Sequence, residues 1–249
     1  MRNYLYLLGA GIGLLFLIGL GTCKSNANPL IDQVFEPSVR LGDFCSGEII
    51  KSERDEKTGE VSTFILTAKH CVLKTKDSDT IEINKDQYDS KNRKVGKKVY
   101  LSQVYGRSYK SDLALLKLRD KDTFFEHVAE VAKSDIKLEF GQDVDLIGYP
   151  LGRSMTYTTG KLGFVEDGVF GDISRTTQFY RATPDLAPGS SGSSMFTFVD
   201  GSYKVIGIAT GGAQMFSWFN FFTPIEEINE YLDTALPKKD KKTDEVRTR

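Results

Sequence analysis

Short runs that are apolar throughout, or that alternate apolar with polar, recur along the middle of the chain. They cover 44–50, 61–68, 98–105, 113–118, 143–149, 177–182, 195–199 and 203–210. Runs of this length, rich in Val, Ile, Phe and Tyr, predict strands rather than helices. Turn-rich stretches such as KSERDEKTGE at 51–60 separate them. The clearest hairpin is MFTFVDGSYKVIGIAT at 195–210, where two β-rich runs flank Asp200-Gly201, a dipeptide suited to a tight two-residue turn. No strand–helix–strand rhythm appears, which argues against a doubly wound parallel sheet. One helix is predicted, late in the chain. Pro224 stands at a first-turn position after Thr223, and Ile225, Ile228, Tyr231 and Leu232 follow at helical spacing. The pattern predicts an all-β domain over 28–235 with a C-terminal helix. A charged, disordered tail is expected over 236–249.

The first 27 residues read differently. Between Asn3 and Cys23 there is no charge, and 5–20 is LYLLGAGIGLLFLIGL. Four glycines weaken it as a soluble helix and no polar face exists. About 20 apolar residues can span a bilayer. The segment fits a cleaved signal peptide with Ser25-Asn26-Ala27 at the cut, a retained membrane anchor, or a leader lipid-modified at Cys23. Each places the body outside the cytosol: secreted, periplasmic or membrane-anchored.

Composition narrows the function class. With 40% hydrophobic and 27% charged residues, the chain is too apolar for a disordered protein and too charged for a polytopic membrane protein. The net charge of −1 and pI of about 6.2 argue against a nucleic-acid binder. That near-neutral total conceals a segregation. The tail carries six basic and three acidic residues, whereas the body holds 25 basic and 31 acidic.

Two residue types are scarce: His, at 70 and 127, and Cys, at 23, 45 and 71. Cys45 and Cys71 form an even pair within the body. In an exported chain that suggests a disulfide, with two separate buried thiols the alternative. His70 lies in FILTAKHCV, at the tip of a predicted strand, and is either a catalytic base or a structural histidine. Asp112 precedes an apolar strand in YKSDLALLKL, as a partner carboxylate or a strand cap. In APGSSGSSMF, Gly189 lets the backbone turn so that its N–H and that of Ser191 can face one oxygen, as an oxyanion hole does. The alternative is a flexible Gly/Ser loop. His127, in FFEHVAEVA, reads as a structural or exposed residue of a linker. An α/β-hydrolase places its histidine after the nucleophile, but no histidine occurs beyond 127, so that fold is excluded for Ser191. The remaining order is His, Asp, Ser. Two histidines outside any HExxH pattern do not suggest zinc.

These segments together resemble the chymotrypsin-like (trypsin-like) serine peptidases across most of 40–235. TAKHC resembles the family's histidine motif, SDLALLKL its aspartate motif, and GSSGSS its serine motif. GYPLG at 148–152 and the SGS of 191–193 are nearer to bacterial Glu-specific and HtrA-type members. The 14 residues after Ala235 leave no room for a following PDZ domain. The resemblance implies two six-stranded antiparallel barrels and a Cys45–Cys71 bridge. It implies acyl transfer by His70, Asp112 and Ser191, with the N–H groups of Gly189 and Ser191 holding the oxyanion. It implies a polypeptide substrate and neither metal nor organic cofactor. A membrane contact through the N-terminal segment fits the leader.

Departures matter too. Ser190 stands where digestive members carry the aspartate that receives a newly cut N-terminus, which implies activity without such a cut. Thr210, Gly211 and Gly212 correspond to the substrate-pairing strand. Asp185 lies where a pocket carboxylate would select Lys or Arg. A Glu-selective pocket uses a histidine in the second barrel, and none occurs there. Two rival functions share these residues: a catalytically inactive, membrane-tethered binding or chaperone-like module, and an esterase.

Overall fold

The computed structural model describes residues 28–89, 91, 93–168, 177–212 and 220–237. The leader and the tail beyond Pro237 lie outside the described residues, as do 169–176 and 213–219 in the second half. The first barrel comprises β1 (Ser38–Leu41), β2 (Cys45–Arg54), β3 (Val61–Thr67), β4 (Ile81–Tyr88), β5 (Lys94–Arg107) and β6 (Ala114–Leu118). Their order is β1-β2-β3-β6-β5-β4, and β4 closes onto β1 through Arg40 opposite Asn84.

A two-residue strand, β7 (Glu130–Val131), lies in the link to the second barrel and pairs parallel with β12 (Ser202–Gly212). The second barrel also contains β8 (Asp143–Gly148), β9 (Thr156–Gly168), β10 (Thr177–Ala182), β11 (Ser194–Val199) and β13 (Asn220–Pro224). Its order is β11-β8-β9-β10-β13-β12, and a β11–β12 pairing closes the ring. All six strands run antiparallel to their ring neighbours. Helix α1 (Ile225–Ala235) comes directly after β13.

The continuous apolar runs of β3 and β6 have a physical cause. Alternate residues point to opposite faces of a strand. Ile65 and Leu116 fill the first barrel, while Phe64, Leu66 and Leu115 point outward into the second core, beside Ile147, Phe196 and Ile208. Both faces are buried, so polar alternation is lost. The strands that end at the functional site are therefore clamped between two cores.

Each of the eight predicted runs is a strand, and several extend further, β5 from Lys94 to Arg107 among them. Asp200 and Gly201 both have positive φ (52° and 81°), as the tight hairpin turn requires. Five strands escaped the pattern: β1, β4, β7, β9 and β13. β9 is the instructive case, with Leu162 its only fully buried side chain, so it shows no apolar period. One boundary shifts: Pro224 ends β13 and caps α1 with extended backbone, one position earlier than the first-turn placement expected. Ile225, Ile228, Tyr231 and Leu232 are the buried face, as their spacing predicts. No helix among the described residues is long and apolar enough to cross a membrane.

Candidate active site

β3 delivers a histidine because it stops abruptly. Ala68 is still extended, and Lys69–Val72 then curls into one tight helical turn that carries His70. Asp112, 4% exposed, sits just before β6, which pairs with β3 through Thr67 opposite Ala114. The register brings the two side chains together. Asp112 Oδ2 lies 2.6 Å from His70 Nδ1, and Oδ1 accepts from the His70 backbone N–H at 2.9 Å. Lys69 N–H also donates to the Asp112 carbonyl at 3.2 Å. An ionised carboxylate only accepts, so the Nδ1 proton stays on the ring and Nε2 is left as the basic nitrogen. The ring side chain is 39% exposed, which leaves it accessible from the cleft.

The loop before Asp112 is self-bonded: Ser108 N–H donates to the Leu113 carbonyl at 2.9 Å, and the Ser108 and Ser111 hydroxyls meet at 2.9 Å. Lys69 Nζ reaches across to the Ser108 carbonyl at 3.1 Å. On the other flank Cys45 and Cys71 are bridged, with an S–S distance of 2.05 Å. Their sulfurs and His70 form the one compact group of potential metal ligands found among the described residues. Both sulfurs are consumed in the disulfide, so the group lacks thiolates to bind a metal.

The serine loop is anchored by backbone chemistry. Ser191 is partly buried; its carbonyl accepts from Ser46 N–H at 2.8 Å and lies 3.7 Å from Cys71 Sγ. Ser191 is thereby set against the residue next to His70 in the chain. Gly192, φ +83°, presses so closely on β2 and β3 that a Cβ there would lie 2.3 Å from both the Ser46 carbonyl oxygen and Thr67 Oγ1. Gly189, φ +97°, packs its bare face on the 149–152 turn, 2.7 Å from the Tyr149 oxygen by the same measure.

Peptide geometry then orients the two N–H groups. The Pro188 carbonyl accepts from Leu151 N–H at 2.5 Å, and the Ser190 carbonyl from Ser193 N–H at 2.9 Å. In a trans peptide the N–H points opposite to the carbonyl that precedes it. The N–H groups of Gly189 and Ser191 are thus turned away from those partners, and neither meets an acceptor among the described residues.

Two contributors were not singled out from sequence. Ser46 is the hub of this wall: its hydroxyl donates to the Gly189 carbonyl and accepts from Tyr149 N–H, each at 2.9 Å. The 148–152 turn, noted only for its resemblance, supports Gly189. The one usable signal was the position of Ser46 beside Cys45.

Deeper between the barrels, Glu48 is fully buried. Ser38 Oγ lies 3.1 Å from both of its carboxyl oxygens and 2.8 Å from the Val34 carbonyl. A hydroxyl has one proton, and the carbonyl can only accept it. Ser38 Oγ therefore shares its single proton between the Val34 carbonyl and the carboxyl oxygens of Glu48. Burial pushes its pKa well above the ordinary 4.5, against smaller opposing effects of Ser38, the Lys85 charge and Ser194.

The residues expected to meet substrate are less closely assembled. Asp185 is exposed, and its carbonyl accepts from Thr158 Oγ1 at 3.4 Å. Thr210 is 2% exposed, its hydroxyl 2.9 Å from that of Thr223, so only its backbone is available to a substrate. Gly211 and Gly212 end β12 opposite Phe221 and Asn220. His127 is half-buried in the link between barrels, away from His70 in sequence and element.

A family model described as "Trypsin-like peptidase domain" matches residues 45–208, about two thirds of the chain. No curated protein sequence matches the chain. Among solved structures, the active form of the Rv3671c protease from M. tuberculosis superposes with a TM-score of 0.60 at 18% identity, covering 85% of this chain and 86% of that one. The MamO protease domain from Magnetospirillum magneticum gives a TM-score of 0.61 at 18% identity, covering 80% and 97%. An HtrA-type protease, AlgW with a tripeptide, gives 0.58 at 19%, covering 82% and 62%.

Proposed function

The chain belongs to the trypsin-like peptidases, and from that premise we propose that it is a serine endopeptidase in which His70, Asp112 and Ser191 form the catalytic triad. The observation that carries this reading is the 2.6 Å contact of His70 Nδ1 with a buried carboxylate. It leaves Nε2 as the base. His70 takes the Ser191 hydroxyl proton as Oγ attacks the peptide carbonyl, and Asp112 stabilises the imidazolium. The tetrahedral oxyanion receives the N–H groups of Gly189 and Ser191. His70 then passes its proton to the leaving amine, and water releases the acyl-enzyme by the same route in reverse.

The substrate backbone pairs along 210–212, and Asp185 selects Lys or Arg at the cleaved bond. Equal hydrolysis of Lys-, Leu- and Glu-linked peptides, unchanged in Asp185→Ala, would remove that second assignment. The bridge between Cys45 and Cys71 supports work in an oxidising compartment outside the cytosol. Ser190 is buried within the loop, its hydroxyl accepting from Ala187 N–H at 3.3 Å, so no new N-terminus is needed to order it.

A fluorophosphonate probe tests the mechanism. Labelling at Ser191 that vanishes in Ser191→Ala and in His70→Ala is expected, together with peptide turnover. A folded protein that takes no label is the inactive binding module instead. Label with ester but no peptide turnover makes it an esterase.

A further inference from the structure

The turn that backs Gly189 is conformationally costly. Leu151 has φ 56° and ψ 23°, the left-handed region that a side chain with a Cβ rarely adopts, and Gly152 follows it there with φ +63°. Leu151 is 59% exposed, so burial of its side chain does not hold it in place. A turn of this kind persists only where its surroundings fix it. Two backbone bonds lie within the turn: Gly152 N–H donates to the Tyr149 carbonyl and Arg153 N–H to the Pro150 carbonyl, each at 3.1 Å. The first barrel supplies the rest. A Cβ on Gly152 would stand 2.0 Å from the Asp43 carbonyl oxygen, so the turn is pressed against the β1–β2 connection. From β1, Arg40 Nη1 donates to the Gly152 carbonyl.

Arg40 is half-buried, and its Nε is buried without a partner among the described residues. Stability alone would not favour that arrangement. The bond to Gly152 is charge-assisted, which makes it stronger than a bond between neutral groups. Its consequence runs along the turn. Leu151 N–H donates to the Pro188 carbonyl at 2.5 Å, and the trans peptide that follows turns Gly189 N–H the opposite way. Ser46, the cross-strand neighbour of Arg40 in the β1–β2 ladder, holds the carbonyl of the same glycine at 2.9 Å. Two adjacent side chains of the first barrel thus fix the two peptide units on either side of Gly189, Ser46 directly and Arg40 through the turn.

We propose that Arg40 is a positioning residue for the oxyanion hole: by holding Gly152 it keeps the 150–152 turn in its left-handed form and so aims Gly189 N–H at the reacting carbonyl oxygen. The inference rests on the triad reading given above. Arg40 itself touches neither substrate nor His70.

Kinetics of the full-length chain test it, with kcat expressed per active serine titrated by the fluorophosphonate. Arg40→Ala is expected to lose about tenfold to a hundredfold in kcat, part of the effect of deleting an oxyanion donor outright, with KM little changed. A peptide aldehyde, which forms a tetrahedral adduct carrying the oxyanion, should bind more weakly by a similar factor. Arg153→Ala removes an exposed positive charge from the same turn and should leave kcat, KM and aldehyde binding unchanged. Circular dichroism shows whether Arg40→Ala is folded. If it is not, Arg40→Gln, which keeps most of the stem, must show the kcat loss instead. An active parent whose folded Arg40 variant keeps its kcat overturns the proposal. So does a loss confined to KM or to the number of titratable sites, or an equal loss in Arg153→Ala. A parent with neither label nor peptide turnover removes the triad reading itself, and this inference with it.

Discussion

The Ser46 hydroxyl of the first barrel donates to the carbonyl of Gly189 in the second at 2.9 Å, across 143 positions of sequence. The same oxygen accepts from Tyr149 N–H, so one side chain joins β2, the 148–152 turn and the serine loop. Ser46→Ala removes both bonds without adding bulk. On the proposed mechanism the expected result is a kcat reduced about tenfold to a hundredfold, because the N–H groups of Gly189 and Ser191 lose their alignment, with KM little changed. Steady-state kinetics on a peptide substrate checks this. An effect confined to KM would place Ser46 in substrate binding instead.

Gly192 and Gly201 share nearly the same φ, +83° and +81°, but only Gly192 is crowded; nothing lies within 4 Å of a Cβ on Gly201. Alanine at Gly201 should cost only the left-handed strain, about 1–2 kcal/mol. Alanine at Gly192 adds a clash with the Ser46 carbonyl and should cost roughly twice that or more. Urea unfolding of the two variants checks the contrast. Equal losses would show that the close approach at Gly192 is readily relieved.

Glu48 sets a pH dependence of definite sign. Its folded pKa is raised, so the folded state holds a proton that the unfolded state has released above the ordinary 4.5. Its stabilisation is complete below that value and is lost as pH rises toward the folded pKa, at up to about 1.4 kcal/mol per pH unit. Glu48→Gln cannot titrate. The melting temperature of the variant minus that of the parent should therefore climb steadily from pH 4 upward. A constant difference would mean that Glu48 is ionised in the folded protein.

The disulfide closes a loop of sequence separation 26 beside His70. In the chain-entropy model its loss costs about 3 kcal/mol. Cys45→Ser/Cys71→Ser should lower the urea midpoint accordingly and steepen the transition somewhat, because the released chain exposes more surface on unfolding. Reduction of the parent protein should reproduce the shift. A parent insensitive to reductant under native conditions, with a destabilised double variant, would show a shielded bond.

Strand positions were legible wherever one or two faces are buried. Ile65, Leu66, Leu115 and Leu116 declared β3 and β6 because their apolar side chains leave no room for polar ones. β9 was invisible because its side chains are largely exposed, and its pairing comes from backbone hydrogen bonds that any residue supplies. The candidate site residues were legible for a different reason. With no histidine beyond 127, the order of His70, Asp112 and Ser191 left few folds open, and the motifs around them resembled one family. The disulfide between Cys45 and Cys71 was foreseen from the even pair in the body.

Local sequence by itself determined eight of the thirteen strands, the hairpin turn at Asp200-Gly201 and the buried face of α1. Those properties depend on near neighbours: the two-residue period of a strand, the helical spacing of 225–232, the freedom of glycine. Tertiary structure alone decided what holds the site together. That Asp112 meets His70 is a consequence of the β3–β6 register. That Ser46 reaches Gly189, that burial raises the Glu48 pKa, and that a cavity opens behind the Asp112 loop are consequences of how the two barrels pack. Such contacts join residues far apart in sequence, and no local pattern encodes the distance between them.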